Sequence, residues 1–340
     1  MNDRPLIVIS MGDPAGIGPE IALKAAIDPG ILELCRPVII GDVAALQTVQ
    51  DVSGVAADLH TLPSLDTAGA QPNSIDVVDL ANIPHPVVSG QVSPTAGQAA
   101  FEYITRGAAL CLEGEADALV TGPINKEAIQ AAGYKFQGHT EILAAQCNVR
   151  DVAMMLVAGQ LRVSHVTTHV SLRQACDLIR KERVLQVLSL THEMLGRLGI
   201  SNPHLAVAGL NPHAGESGLF GHEEIEEIIP AVEAARAKGM QASGPYPPDT
   251  IFLRAAEASD EPWADAVIAM YHDQGHIPVK LLGFHDGVNV TLGLPIIRTS
   301  VDHGTAFDIA GKGEANPASL MAALRFAARL SRGRSEQGRG

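Results

Sequence analysis

Three histidines stand in one kind of setting. His169 in "TTHVSL", His213 in "LNPHAGESG" and His272 in "YHDQG" each come just after an apolar run. Neutral imidazoles are good ligands for a divalent ion, and three of them leave positions open for a substrate, as catalytic metal sites require. Taken singly, each reads as well as a hydrogen-bonded rim or core residue. Their recurrence at equivalent strand ends favours the metal. A further histidine, His276, follows His272 by four residues, the spacing that aligns two rings on one helix face. Gly275 and Pro278 are expected to interrupt any helix there, leaving His276 on an irregular loop in a structural role. His60, His85, His192 and His222 carry no pattern and read as ordinary surface or core residues.

A second set of residues could hold an anion. Lys280, Asn289 and Arg298 are evenly spaced through "VKLLGFHDGVNVTLGLPIIR", an otherwise apolar, Gly-rich segment. Lys and Arg separated by an amide can grip a phosphate or carboxylate, Arg with two parallel bonds. Lys and Arg are more often solvated surface charges, but the apolar setting directly after a histidine loop favours binding. His139 and Thr140 in "GHTEIL" could donate to the same anion. Asp249 in "PPDT" is a candidate proton acceptor and equally a loop cap; Lys280 and Asp249 are the candidate catalytic residues.

The elements that must position these groups are legible. "LIVIS", "DALVTG", "LRVSHVTTH", "HLAVAGL" and "DAVIAM" are short apolar runs, and helical patterns separate them, including one from about Pro19, one over 95–112 and one near 173–190. Gly199 fits a helix C-terminal cap. This alternation predicts an α/β fold with mainly parallel sheets. The loaded loops all follow the carboxyl ends of predicted strands, where open α/β sheets bind ligands. The expected domains are 1–125 with 303–330, on the cofactor side, and 126–302 for metal, substrate and dimerisation, with a frayed polar tail at 331–340.

Composition bounds the partners. The chain has 340 residues, 46% hydrophobic and 18% charged, which describes a globular protein with a sizeable core. No apolar run is long enough to span a bilayer, and no signal-peptide pattern opens the chain. A formal net charge of −14 argues against nucleic acid. Cys35, Cys111, Cys147 and Cys176 lie far apart with no CxxC pair, as expected of reduced thiols in a cytoplasmic protein.

No GxGxxG occurs, and "AGIGPE" supplies only part of a Gly-rich turn, so a Rossmann site is not expected. "HGTAFDIAGKGEANPAS" (303–319) is similar to the adenosine-binding loop of the isocitrate and isopropylmalate dehydrogenases, which bind nicotinamide cofactors without a Rossmann fold. "MGDPAGIGPEI", "TGPINKEAI", "GHTEILA", "TTHVSL", "LNPHAGESG", "GPYPPDTIF", "YHDQG" and "GVNVTLGLPIIRTSVDHGTA" together resemble the 4-hydroxythreonine-4-phosphate dehydrogenase family over roughly residues 5–328. The resemblance implies two α/β domains around a cleft. It implies one divalent ion (Zn, Mg, Co or Ni) on His169, His213 and His272, and substrate on His139, Thr140, Lys280, Asn289 and Arg298. NAD would lie along His303, Gly304, Asp308 and Asn316. It also implies a homodimer, with His272 serving the partner's site. The expected reaction oxidises 4-phosphohydroxy-L-threonine to a 3-keto acid that loses CO2.

One departure stands out. "HIPVK" after "YHDQG", with "TAFDIAGKG", looks like the family's second branch, associated with oxidation of threonate or erythronate 4-phosphate. A relative of the fold acts on aromatic cis-dihydrodiol carboxylates. Two readings of other classes remain: a metal- or phosphate-binding sensor, and a metal-dependent aldolase or hydrolase. The adenosine-type loop argues against the sensor; in the aldolase or hydrolase reading it would be a structural turn.

Overall fold

The structure is a computed structural model that describes residues 4–69, 73–85, 87–257, 262–283 and 286–337, with side chains through residue 333. Its strands are β1 (Leu6–Ser10), β2 (Arg36–Gly41), β3 (Asp58–Thr61), β4 (Ser74–Asp79), β5 (Ala118–Thr121), β6 (Ala153–Ala158), β7 (Leu161–His165), β8 (His204–Ala208), β9 (Gln241–Tyr246), β10 (Ala266–Ala269), β11 (Val288–Leu292) and β12 (Ile297–Val301). The α-helices are α1 (Gly18–Ala26), α2 (Pro29–Leu34), α3 (Val43–Gln50), α4 (Pro94–Leu112), α5 (Lys126–Ala131), α6 (His139–Gln146), α7 (Leu172–Leu178), α8 (Lys181–Arg197), α9 (Ile229–Ala237), α10 (Ile251–Ala256), α11 (His272–Leu282) and α12 (Ala318–Gln337).

The chain forms two compact units, one of residues 1–150 and 294–340, the other of 151–293. In the first, six parallel strands run in the order β3-β4-β2-β1-β5-β12. All five residues of β1 are buried, as in a parallel sheet covered on both faces. The second unit orders its strands β11-β6-β7-β10-β8-β9, with β7, β10, β8 and β9 parallel and β6 antiparallel to both β11 and β7. Its core gathers Leu156, Val163, Ala206, Phe252, Val267 and Val279.

The helix starts follow from short polar caps. Asp42 accepts from Ala45 N at 3.0 Å, Asn125 from Ala128 N at 2.8 Å, and Ser171 forms a capping box with Gln174. Gly199 takes the left-handed conformation, φ 85°, just past α8.

Four expectations need correction. The unit divisions fall at 150/151 and 293/294 rather than 125/126 and 302/303, because α5 and α6 pack on α4 and β12 pairs with β5. The helical pattern near 173–190 is two helices: Ile179 and Arg180 leave the helical region, and the Glu227 carboxylate accepts from Lys181 N at 2.7 Å to start α8 afresh. The tail is helical through Gln337, with buried Ser331 bonded to the Ala327 carbonyl and Arg332 to that of Leu34; residues 338–340 of the expected tail lie outside the described ones. Finally, Gly275 and Pro278 interrupt no helix, since α11 runs through both. Gly275 serves close packing, because a Cβ there would collide with the His165 ring. Pro278 forfeits one bond to the carbonyl four residues back, a loss of roughly 3 kcal/mol in an unsupported helix. Burial of Gln274, His276 and Val279 offsets it.

Candidate functional site

In the second unit, β7, β10 and β8 are neighbours and parallel, so the loops at their carboxyl ends emerge side by side. Beyond β7 the chain stays tied to β10: Val166 N donates to the Ala269 carbonyl at 2.9 Å, and the Thr167 hydroxyl to that of Met270 at 2.9 Å. This leads to His169, whose ring centroid lies 5.8 Å from that of His272 at the head of α11. Both line a cavity of about 310 Å³ with Thr168, Leu172, Tyr271 and Asp273. His272 Nδ1 donates to the Asp273 carboxylate at 2.7 Å, which leaves Nε2 as the nitrogen with a lone pair.

His276 is part of this cluster, contrary to the loop position expected for it. Its ring stacks on His272 at 3.5 Å, and its Nδ1 donates to the His272 carbonyl at 2.9 Å. Behind it lies fully buried His165, 4.7 Å away. Burial pushes His276 down to about 4, with the neighbouring His272 adding to the shift. Burial and then His276 push His165 down to about 3.

His213 sits in a turn of unusual backbone. His213 to Ser217 have φ of 53, 52, 78, 43 and 58°, five left-handed residues in succession. Each non-glycine member costs roughly 1–2 kcal/mol. The turn is tethered by Glu224, whose buried carboxylate accepts from the backbone N–H groups of Leu210 and Asn211, both at 2.7 Å. Gln274 ties two strand ends together: its oxygen accepts from Met270 N at 2.6 Å and its amide donates to the Gly209 carbonyl at 2.8 Å. Glu224 carries no periodic or motif signal that sequence reasoning could have weighed, and Gln274 lies in "YHDQG" without any sign of its bridging role. Among the described residues of one chain, no three His, Cys, Asp or Glu side chains form a group that could hold a metal ion. His169 and His272 nevertheless offer imidazole nitrogens, donors that suit a divalent ion in kind. Lys280 lies half-buried on α11 and Asn289 on β11, with its Oδ1 buried and lacking a hydrogen-bond partner. Asp249 is exposed just before α10.

The first unit gathers Arg298, Thr121 and His139. Arg298 on β12 is 1% exposed, and its Nη2 donates to the Thr121 hydroxyl at 2.6 Å. Burial pushes the guanidinium down to about 9, opposed by the Glu141 charge. His139 and Thr140 open α6, where no side chain caps the helix. His139 Nε2 faces the Gly122 carbonyl at 3.1 Å; since a carbonyl only accepts, Nε2 carries the proton and Nδ1 presents a lone pair. Burial and then the Arg298 charge hold this imidazole well below its usual value. Alongside, Gly12 adopts φ 80° where a Cβ would strike the Pro123 carbonyl, and Asp13 follows it with Oδ1 accepting from Ala15 N at 2.8 Å. Asp13 is fully buried, its Oδ2 lacks a partner, and burial raises it to about 6. Sequence reasoning noted the loop but not this residue.

The same unit holds the 303–317 loop. Ile17 N donates to the Thr305 carbonyl at 3.0 Å. Lys24 Nζ donates to Glu20 at 2.7 Å and to the carbonyls of Gly313 and Ala315 at 3.0 and 2.9 Å, while Ala315 N donates to Glu20 at 2.8 Å. Gly311 and Gly313 have φ of 74 and 76°. Gly311 rests on Ser89, which lines a cavity of about 260 Å³ with Pro14, Asp42, Thr48 and Ile83. His303, Gly304, Asp308 and Asn316 are exposed, and Asn316 also accepts from Ala318 N at 2.9 Å.

The lowered histidines have a consequence for stability. A histidine whose native pKa lies below its unfolded value near 6.5 is protonated first in the unfolded chain, so stability is full above about pH 6.5 and falls as the pH drops. Between about pH 7.5 and 5.5, His165 and His276 together withdraw roughly 3 kcal/mol, and His139 acts in the same direction. Raised Asp13 works oppositely, taking up its proton first in the native state and returning roughly 1 kcal/mol. Urea titrations of chelator-treated protein should therefore show a net loss of about 2 kcal/mol or more over this range. Flat or rising stability would contradict these environments.

The model of the pyridoxal phosphate biosynthetic protein PdxA family matches residues 33–327. A D-threonate 4-phosphate dehydrogenase of Cupriavidus necator is 50% identical over 328 residues, 96% of this chain and 97% of that one. A 4-hydroxythreonine-4-phosphate dehydrogenase of Desulforapulum autotrophicum is 47% identical over 329 residues, 96% of each chain. The crystal structure of 4-hydroxythreonine-4-phosphate dehydrogenase from Klebsiella pneumoniae superposes with a TM-score of 0.88 at 45% identity, covering 96% of this chain and 99% of that one. With its tethered 303–317 loop, its buried arginine and its strand-end histidines, the chain belongs to the PdxA family.

Proposed function

We propose that this oxidoreductase oxidises the C3 hydroxyl of 4-phosphohydroxy-L-threonine with NAD and a divalent ion, giving a 3-keto acid that loses CO2 to leave 3-amino-2-oxopropyl phosphate. The observation that carries the reading is Arg298, a buried guanidinium that donates to the Thr121 hydroxyl beside His139 and whose planar fork suits a phosphate or carboxylate. When bound, nicotinamide would accept the hydride and the ion would act as Lewis acid at the reacting oxygens. Arg298, His139, Thr140, Lys280 and Asn289 would bind and orient the substrate's anionic groups. Neutral His139 offers Nδ1 as an acceptor, and that nitrogen becomes a donor only on gaining a proton. His169, His213 and His272 would hold the ion through imidazole nitrogens. Lys280 and Asp249 are the groups assigned to move protons.

D-threonate 4-phosphate is a second substrate of the same chemistry, with hydroxyl for amine at C2. The "HIPVK" segment and the name carried by the Cupriavidus relative favour it. Parallel kcat/KM measurements separate the two: the physiological substrate should lead by at least roughly tenfold, and equal values would leave C2 without a recognising group.

NAD is the preferred cofactor in this reading. Asp308 can accept from a ribose hydroxyl and would repel a 2′-phosphate, while Lys312, the nearest cation in the motif, donates to the Asp308 carbonyl at 2.6 Å. Asp308→Ala should raise KM for NAD roughly tenfold or more with KM for NADP little changed. Better use of NADP by the unaltered protein would overturn this assignment.

A homodimer with a shared metal set completes the proposal. Ten of the fourteen exposed large hydrophobics among the described residues lie in the second unit, including Leu172, Leu178, Ile277, Leu281 and Leu282. Mixing inactive His169→Ala and His272→Ala chains should restore activity, because one site of each hybrid then carries neither change. No recovery after verified subunit exchange would exclude sharing.

A further inference from the structure

We propose that Glu224 is a positioning residue that sets the orientation of His213 towards the metal ion, an inference that rests on His213 being a ligand. Five consecutive left-handed residues, His213 to Ser217, persist only where the surroundings over-determine them, and the contacts that do so converge on one carboxylate. Glu224 is 1% exposed. Its Oε1 accepts from Leu210 N and Asn211 N at 2.7 Å each, and its Oε2 accepts from Asn211 Nδ2 at 2.9 Å. The turn closes against the same group: a Cβ on Gly215 would stand 2.7 Å from Oε2, and one on Gly209 would stand 2.8 Å from Ala214 Cα. Glu224 itself comes from a π-helical turn, Glu224–Ile228, a rare geometry that is frequent at functional sites. From that turn Glu227 also accepts from Lys181 N at the start of α8, so the clamp is anchored to a long helix. A buried carboxylate that holds Leu210 and Asn211, three and two residues before His213, at the foot of a strained turn, fixes where the imidazole goes.

The test uses cobalt(II) as probe on chelator-treated full-length protein. Glu224→Gln keeps the size of the side chain but turns an amide N–H₂ towards donors. It should weaken cobalt affinity roughly 10- to 100-fold, as loss of a group supporting a ligand does, and should alter the cobalt ligand-field spectrum. NAD affinity and the far-UV circular dichroism should stay as in the unaltered protein. Gly215→Ala, which displaces the carboxylate without removing its charge, should change the spectrum in the same way, and it decides the matter if Glu224→Gln does not fold. Unchanged affinity and spectrum in either folded variant, with both lost in His213→Ala, would show that Glu224 only stabilises the fold. Unchanged cobalt binding in His213→Ala would instead remove His213 from the ligand set, and this inference with it.

Discussion

His169→Ala, His213→Ala and His272→Ala should each abolish turnover and strip the protein of its divalent ion while leaving the fold intact. Loss of a group that merely supports a ligand weakens metal binding roughly 10- to 100-fold, and loss of a ligand should exceed that. The rate should fall at least in proportion if each histidine holds an ion that polarises the reacting oxygens, as proposed. Folding should be spared because His169 and His213 are exposed on loops at strand ends. Metal content by elemental analysis, read beside the rate, separates the outcomes. His85→Ala is the control and should change neither quantity. A ligand variant with near-native metal and rate would remove that residue from the set.

Arg298 variants should lose substrate affinity while cofactor affinity is kept. Arg298→Lys keeps a charge but loses the planar fork, and one good bidentate contact is worth roughly 1.5–3 kcal/mol. KM for the phosphorylated substrate should therefore rise roughly 10- to 150-fold while KM for NAD stays unchanged. Arg298→Met removes a fully buried charge that burial already holds down near 9. Activity should then be lost altogether, because neither charge nor fork remains to hold the anion. A melting temperature that drops with KM unaltered would make Arg298 a structural residue.

The sequence is informative where a residue's role coincides with a periodic pattern. Runs such as "LIVIS" read as strands because both faces of a parallel sheet are apolar, and the loaded loops then fall at carboxyl ends by rule. The buried Arg298 was legible because a cation in an apolar strand is anomalous. Other features carry no such anomaly. The helix through Gly275 and Pro278 depends on close packing against His165, a contact distant in sequence that overrides local propensity. The break between α7 and α8 is made by Glu227, about fifty residues further on. Glu224, Gln274 and Asp13 are single polar residues whose importance comes from burial and backbone partners, neither of which spacing reveals. The unit divisions at 150/151 and 293/294 were equally hidden, since composition does not change there.

The most direct measurement is reduction of NAD by the metal-loaded protein supplied with 4-phosphohydroxy-L-threonine or D-threonate 4-phosphate, with CO2 collected from the same reaction. At least one of the two should yield reduced nicotinamide and CO2 in equal amounts, with both products abolished by chelator and restored by a divalent ion. Consumption of substrate without reduced nicotinamide, or binding without turnover of either compound, would contradict the assignment and favour a metal-dependent lyase, hydrolase or sensor.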